Sequence, residues 1–114
     1  MQDPTEALRF ALKGQYHAAL AMLRDAETRW PADAEIQNGI GVILVRREAY
    51  DEAIEAFTKA TQAAPEEPVT HLNLGRAYEL RYMRYLRFVA SQRRWIGPEN
   101  DRKRAVEAYN RCIE

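Results

Sequence analysis

Apolar residues recur along this chain at the three- and four-residue steps that place side chains on one face of an α-helix. The two clearest stripes are Ala19, Leu20, Leu23 and Ala26, and then Ala53, Ile54, Phe57 and Ala60. They predict helices over Tyr16–Arg29 and Tyr50–Ala63. The residues between the stripes are mostly polar or charged, which is typical of helices that bury one face and expose the other.

Capping residues and helix breakers predict the other boundaries. Asp3 is a good N-cap for a first helix, and Gly14 is suited to end that helix in a left-handed C-cap. Asp33 can cap a third helix, and Pro68 is well placed to open a fifth. The sequence therefore predicts helices joined by short turns along the whole chain.

The fifth helix is predicted to be longer than the others. No helix breaker occurs between Gly75 and Ile96, so the pattern predicts one continuous helix to about Ile96. Gly97–Asn100 then forms a turn, and Asn100 or Asp101 caps a sixth helix.

The predicted helices repeat with a fixed period. Tyr16 and Tyr50 are 34 residues apart, and a proline follows each of their helices at the same spacing. Such a period is typical of stacked helical hairpins, which bury their apolar faces against one another. The third copy is interrupted, because the counterpart of Ala53 falls at Ala105, 18 residues later than the period requires.

These residues resemble the tetratricopeptide repeat. The matching positions are Gly41, Leu44, Tyr50, Ala53, Phe57, Ala60 and Pro65 in the second copy, Ala7, Phe10, Tyr16, Ala19, Leu23, Ala26 and Pro31 in the first, and Leu74, Gly75, Tyr78, Ala105, Tyr109 and Cys112 in the third. The resemblance implies an all-α fold, a right-handed superhelical array of three antiparallel helix-turn-helix repeats with six helices, the fifth elongated. We expect a single domain over residues 1–114, with repeats at about 1–33, 34–67 and 68–114.

In this architecture the first helix of each repeat lines a concave groove. Helical spacing then exposes an apolar floor with a few amide and guanidinium groups, which suits a peptide or protein segment. The candidate groove residues are Leu8, Leu12, Asn38, Val42, Val45, Arg46, Leu72, Asn73, Arg76 and Glu79. Arg76 can take a carboxylate, and the two asparagines can bind peptide backbone.

One subclass of the family binds chaperones by clamping a C-terminal carboxylate with lysines and asparagines. The matching positions here hold Pro4, Leu8, Gly39 and Val69, and only Asn73 agrees with that pattern. The sequence therefore argues against this activity.

Charge is unevenly distributed although the net charge is zero. Residues 1–75 carry 7 basic and 12 acidic side chains, whereas residues 76–104 carry 9 basic and 3 acidic ones. On the predicted long helix one face carries Arg76, Arg84, Arg87 and Arg94, and a separate stripe carries Tyr78, Tyr82, Tyr85 and Val89. The basic segment is therefore predicted to be an arm whose partner helix is shorter.

The candidate contact residues of this arm are Tyr82, Arg84, Arg87, Arg94 and Trp95. A solvated or locally packed helix is the first interpretation of such a charge run. The second interpretation is a contact with an acidic protein or with a second copy of the chain. Arginines interleaved with aromatic residues can also grip nucleic acid, which ranks last.

The sequence contains no pattern that predicts catalysis, a metal site or a cofactor. His17 and His71 lie in different repeats without metal-ligand spacing, and the single cysteine, Cys112, occupies a small inward position. Asn38–Gly41 resembles part of a phosphate loop but falls inside a predicted helix. The chain lacks a signal peptide and any apolar run of the roughly 20 residues that a membrane span needs, and we expect a cytoplasmic location.

The sequence therefore predicts a non-catalytic protein–protein interaction module, a scaffold or adaptor whose partner is a protein or peptide. The alternatives are a nucleic-acid contact through the basic arm and a regulatory domain excised from a larger enzyme. The pattern stops unfinished at Glu114, so the last helix is expected to expose an apolar face containing Val106 or Tyr109. Either more repeats follow or this face pairs with something, and a homodimer through the elongated helix or the last helix stays open.

Overall fold

The structure is a computed structural model that describes Glu6, Arg9 and residues 13–113. Its five α-helices are α1 (Tyr16–Arg29), α2 (Ala34–Arg46), α3 (Tyr50–Ala63), α4 (Pro68–Tyr85) and α5 (Glu99–Cys112). The bounds predicted for α1 and α3 are confirmed. Most of the helix predicted between Asp3 and Gly14 lies outside the described residues.

The local signals for helix ends act as the sequence predicts. The side chain of Asp33 accepts a hydrogen bond of 3.1 Å from the backbone N–H of Ile36, which satisfies one of the free donors at the start of α2. Pro68 occupies the first turn of α4, where its missing N–H costs nothing. Gly14 has a φ of +79°, a left-handed conformation that glycine adopts readily.

Each helix packs against the next one along the chain, and α2 also contacts α4. The core lies between these neighbours and continues from one repeat into the next. Its largest fully buried apolar side chains are Leu23, Ile36, Ile40, Ile43 and Phe57. This is the stacking that the repeat period predicts, and it leaves α2 and α4 side by side.

One close contact recurs in two repeats and confirms their register. At Gly41 of α2, an added Cβ atom would clash with the ring of Phe57 in α3. At Gly75 of α4, an added Cβ atom would lie 2.9 Å from Cδ1 of Tyr109 in α5. The glycines are 34 residues apart, but the aromatic residues are 52 apart, so the 18 extra residues lie between the two helices of the third repeat. Only glycine lets each aromatic ring pack directly on the neighbouring backbone.

The predicted continuous helix to Ile96 is wrong. Helix α4 is longer than the other helices, with 18 residues, but it ends at Tyr85. Strand β1 (Arg87–Val89) and strand β2 (Arg94–Ile96) follow and pair antiparallel, joined through a 3₁₀ turn at Ala90–Gln92. We call residues 86–97 the hairpin. The all-α repeat therefore carries a two-stranded insertion in place of a longer helix.

The residue types in the two strands explain why a hairpin forms here. Phe88, Val89, Trp95 and Ile96 are aromatic or β-branched, and such residues pack better on a strand than on a solvent-exposed helix. A polar stretch separates the two pairs, and the left-handed Arg93, with a φ of 49°, completes the return.

The predicted cap of the last helix is also wrong. Helix α5 begins at Glu99, and its N-cap residue is Pro98, whose side chain has no acceptor; Asp101 lies inside the helix and binds Arg81. The exposed apolar residue expected on the outer face of α5 is Val106, whereas Tyr109 packs half-buried against Gly75.

Candidate functional site

A pocket of about 250 Å³ opens between α2 and α4. Its lining residues are Val42, Val45, Arg46, Phe57, Asn73, Arg76 and Ala77. The two valines, the phenylalanine and the alanine make its floor apolar, while the two arginines and the asparagine supply polar groups. We call this space the groove pocket.

Five of the residues proposed from the sequence meet in the groove pocket: Val42, Val45, Arg46, Asn73 and Arg76. A sixth, Asn38, lies beside it, because the side-chain amide of Asn73 donates a long hydrogen bond of 3.4 Å to Oδ1 of Asn38. The two amides therefore join the neighbouring helices α2 and α4 along the edge of the pocket.

The other groove candidates lie elsewhere. Leu72 is exposed on α4 and does not line the groove pocket. Glu79 lies one turn beyond the pocket and accepts a hydrogen bond from the hydroxyl group of Tyr109. Leu8 and Leu12 lie outside the described residues.

Arg46 and Arg76 are exposed, and neither makes an ion pair with any carboxylate of the part of the chain that the structure describes. Arg46 is the last residue of α2, and Arg76 lies in the third turn of α4. Two guanidinium groups thus flank an apolar floor, an arrangement that can bind a carboxylate next to an aliphatic side chain.

The hydrogen bond between Tyr109 and Glu79 changes the acidity of the phenol. Burial and then the neighbouring carboxylate raise the pKa of Tyr109 to about 12, from an ordinary value of 10.0. Ionising Tyr109 would place a phenolate beside a negative charge in a partly dry site.

We expect this shift to be visible in an alkaline titration. The folded pKa is the higher one, so the contribution of Tyr109 to stability is complete below pH 10 and is lost as pH rises towards 12. Tyrosinate absorbance is titrated with pH in the parent chain and in Tyr109→Phe. The titration step that is present in the parent and missing in Tyr109→Phe should have its midpoint near pH 12. A removed step near pH 10, with circular dichroism still native, would contradict the contact.

Arg81 forms a charged cluster that the sequence analysis did not identify. Its Nε donates to Oδ2 of Asp101 at 2.8 Å, its Nη2 donates to Oδ1 of the same residue, and its Nη1 donates to Asp51 at 2.8 Å. The guanidinium group also lies 5.7 Å from the ring centroid of Tyr78. The hydrogen bonds with Asp101 raise the pKa of Arg81 further above its usual range. Arg81 thus joins α3, α4 and α5.

The cluster could not have been inferred from local patterns. Asp51 and Asp101 lie 30 and 20 residues from Arg81, and no spacing rule connects such positions. The distances become short only because the repeats stack. Asp101 is only 5% exposed, so its carboxylate depends on Arg81 for a charged partner.

The structure divides the arm candidates among different environments. Tyr82 packs at the base of the hairpin, where an added Cβ atom on Gly97 would lie 2.7 Å from its ring. Arg84 reaches Glu48 at 3.4 Å, and both side chains are exposed. The single arginine face predicted on a long helix is therefore wrong, because Arg87 and Arg94 lie on strands.

Trp95 is 63% exposed and pairs with Phe88, which is 53% exposed, across the two strands. Their ring centroids are 5.5 Å apart with an interplanar angle of 56°. The predicted exposure of Trp95 is confirmed, but it arises from a strand rather than from a helix.

The described residues hold no group of three or more histidine, cysteine or acidic side chains that could bind a metal ion. Nε2 of His71 lies 2.6 Å from the carbonyl oxygen of Pro65, and Cys112 is half-buried with no disulfide partner. Asn38–Gly41 lies inside α2, as the sequence predicts. No helix in the described part of the chain is long and apolar enough to cross a membrane.

The helix order, the stacking and the groove define a helical-repeat protein. The model of the tetratricopeptide repeat family matches residues 5–68, more than half of the 114 residues. The chain therefore belongs to the tetratricopeptide repeat family. No curated protein sequence matches it.

Solved structures share this fold. The second TPR of Spaghetti (RPAP3), bound to the HSP90 peptide SRMEEVD, has a TM-score of 0.73 at 13% identity, covering 96% of this chain and 84% of that one. MamA from Desulfovibrio magneticus RS-1 has a TM-score of 0.71 at 25% identity, covering 96% and 51%. The CopN–Scc3 complex has a TM-score of 0.72 at 16% identity, covering 96% and 54%. This chain thus spans about half the length of the last two.

Proposed function

We propose that this chain is a non-catalytic interaction module that binds a protein segment in the groove pocket between α2 and α4. The observation that carries the proposal is the pocket itself, in which two arginines flank an apolar floor. The tetratricopeptide repeat is generally a protein-interaction fold. We also propose that residues 1–114 act as one domain with repeats at about 1–33, 34–67 and 68–114.

The chemistry of the pocket suggests its ligand. Val42, Val45 and the edge of Phe57 offer an apolar surface that favours an aliphatic or aromatic side chain. Arg46 and Arg76 favour a carboxylate next to that side chain, through charge-assisted hydrogen bonds. Asn73 can donate to the backbone of an extended segment. The proposed ligand is therefore a peptide segment with an acidic residue adjacent to an apolar one.

A free chain terminus is not required in this proposal. RPAP3, whose structure is similar, binds the peptide SRMEEVD. This chain, however, carries different residues at the positions that form the carboxylate clamp in the chaperone-binding subclass. Gly39 is buried against Leu23, and Val69 cannot hydrogen-bond a carboxylate through its side chain. We therefore propose that the carboxylate comes from an acidic side chain within the ligand.

The groove can be tested with a displayed library of random twelve-residue peptides. Peptides selected by the full chain should carry an acidic residue next to an aliphatic or aromatic one. Affinity of the best synthetic peptide, measured by fluorescence anisotropy, should fall about tenfold in Arg76→Ala, since a charge-assisted hydrogen bond contributes about 1.5 kcal/mol or more.

The matched control is Arg102→Ala, which removes an exposed arginine on α5, away from the groove pocket. It should bind the peptide as the parent chain does. Equal losses in both variants would indicate non-specific charge attraction, and no loss in Arg76→Ala would refute the groove as the binding site.

A further inference from the structure

The hairpin concentrates positive charge. Residues 86–98 contain Arg87, Arg93 and Arg94 and no acidic residue. None of these three arginines forms an ion pair within the part of the chain that the structure describes. In contrast, residues 1–75 have five more acidic than basic side chains. The hairpin is therefore suited to an acidic ligand.

The strand register separates the hairpin into two chemically different faces. Phe88 and Trp95 are directly opposite each other, so their side chains lie on the same face. Because successive side chains on a strand alternate, Arg87 and Arg94 lie on the other face. One face thus carries the two aromatic rings, and the other carries Arg87 and Arg94 together with the half-buried Val89 and Ile96.

The sheet has only these two strands, so each has an edge with no further strand beside it in the described structure. An unpaired edge offers backbone N–H and C=O groups to an extended segment. A third strand added there would place its alternate side chains on the two faces. Apolar side chains would meet Phe88 and Trp95, and the intervening side chains would meet the arginines.

The separation of the faces argues against other ligands. A nucleic acid needs bases stacked on aromatic rings and phosphates on arginines along one surface, but here the two lie on opposite faces. The Phe88 and Trp95 rings also tilt against each other instead of forming a parallel platform. A second copy paired hairpin to hairpin would bring two sets of three arginines together.

A flat anionic membrane is disfavoured by the surroundings of the hairpin. Tyr85, just before the hairpin, lines a pocket with Glu48, Asp51 and Glu52. A wide anionic surface that approached the hairpin would also approach these carboxylates, whereas a short segment would not.

We infer that the hairpin is a second protein-binding site, which takes an extended segment of alternating acidic and apolar residues as a third β-strand. Backbone hydrogen bonds to the free edge supply affinity, and the two faces select the alternation. The site is independent of the groove pocket, which lies between helices and contains no hairpin residue.

The test uses the full chain and two labelled eight-residue peptides of identical composition. One alternates Val and Glu, and the other has four Glu followed by four Val. The alternating peptide should bind at least tenfold more tightly in fluorescence anisotropy. Methylating its backbone nitrogens along one edge should abolish binding, because the strand then loses its donors.

Charge reversal separates recognition from folding. The double variant Arg87→Glu/Arg94→Glu should bind the alternating Val–Glu peptide about tenfold more weakly, since like charges face each other across the strands. The same variant should gain binding to a peptide that alternates Val and Lys, which a misfolded hairpin would not do. Trp95→Ala should weaken both. Because the groove pocket is also proposed to take an acidic residue next to an apolar one, binding is measured in the Arg76→Ala background as well, where the preference for the alternating peptide should persist.

Several results would overturn the inference. They are equal binding of the two isomeric peptides, binding that survives N-methylation, and no binding at all. Hairpin-dependent binding of single-stranded oligothymidylate, or of phosphatidylserine vesicles, in preference to the alternating peptide would instead identify a nucleic-acid or membrane contact. Failure here leaves the groove proposal unaffected, because Arg87, Arg94 and Trp95 do not line the groove pocket.

Discussion

Replacing Arg81 by methionine is expected to lower the free energy of unfolding by about 3 kcal/mol, the low end of the range for breaking a buried ion pair. Asp101 is almost fully buried, and Arg81 binds both of its carboxylate oxygens. Methionine fills much of the same space but leaves the carboxylate without its partner. The low end applies because Arg81 itself reaches solvent at one edge. Urea unfolding followed by circular dichroism measures the loss.

The chain offers a matched control for this prediction. Arg84→Met removes an exposed arginine of the same helix, whose contact with Glu48 is open to solvent. Such pairs contribute about 0–1 kcal/mol. The double variant Arg81→Met/Asp101→Asn should recover part of the lost stability, because it removes the stranded charge. Equal losses in Arg81→Met and Arg84→Met would show that the Arg81 cluster does not hold the third repeat.

Replacing Phe57 by alanine is expected to cost about 3–5 kcal/mol, the usual range for truncating a buried phenylalanine. Phe57 is only 2% exposed and packs on the bare backbone of Gly41. Truncation removes the ring that fills the space against Gly41. A loss of this size is a large part of the 5–15 kcal/mol that stabilises a typical domain. Thermal and urea unfolding of the full chain measure it.

Two comparisons test whether the close packing is the cause. Phe88→Ala removes the same side chain from the exposed face of the hairpin and should cost at most about 1 kcal/mol. Gly41→Ala should destabilise by about 1–3 kcal/mol through overpacking against the ring. Gly39→Ala meets only the end of the Leu23 side chain, at 3.2 Å, and should cost much less. Similar effects of the two glycine substitutions would contradict the proposed packing.

The repeat could be predicted from the sequence because it depends on interactions between residues that are close together along the chain. The stripes of α1 and α3, the Asp33 cap and Pro68 each act within a few residues, and all of them are confirmed. The insertion of 18 residues could also be placed, because the recurrence of small and aromatic positions survives it. These features depend on spacing alone.

The hairpin and the Arg81 cluster depend on contacts between residues that do not lie on one helix. No glycine or proline interrupts residues 76–96, so helix propensity favoured one long helix. The stretch extends beyond the helices that cover α4, and as a hairpin it gains the cross-strand aromatic pair of Phe88 and Trp95. Arg81 finds Asp51 and Asp101 only after three helices have stacked. The Arg81 cluster therefore leaves no sign in any short stretch of sequence, whereas the hairpin leaves one, the strand preference of Phe88, Val89, Trp95 and Ile96.

The candidate groove could be predicted in part. Helical spacing correctly brought Val42, Arg46, Asn73 and Arg76 to one pocket. It could not show that Glu79 is engaged by Tyr109, because that contact crosses to α5 through the inserted segment. Whether the groove residues bind a ligand stays a prediction.

The most direct test of the central claim is an NMR titration of the isotopically labelled full chain with a peptide selected from the twelve-residue library. We predict saturable shifts of the backbone amides of Val42, Val45, Arg46, Asn73 and Arg76, which surround the groove pocket. The amide of Val106, on the exposed face of α5, should not move. Saturable shifts at Val106 or in the hairpin with none in the groove, or no saturable shift at all, would contradict the proposal that this groove binds a protein segment.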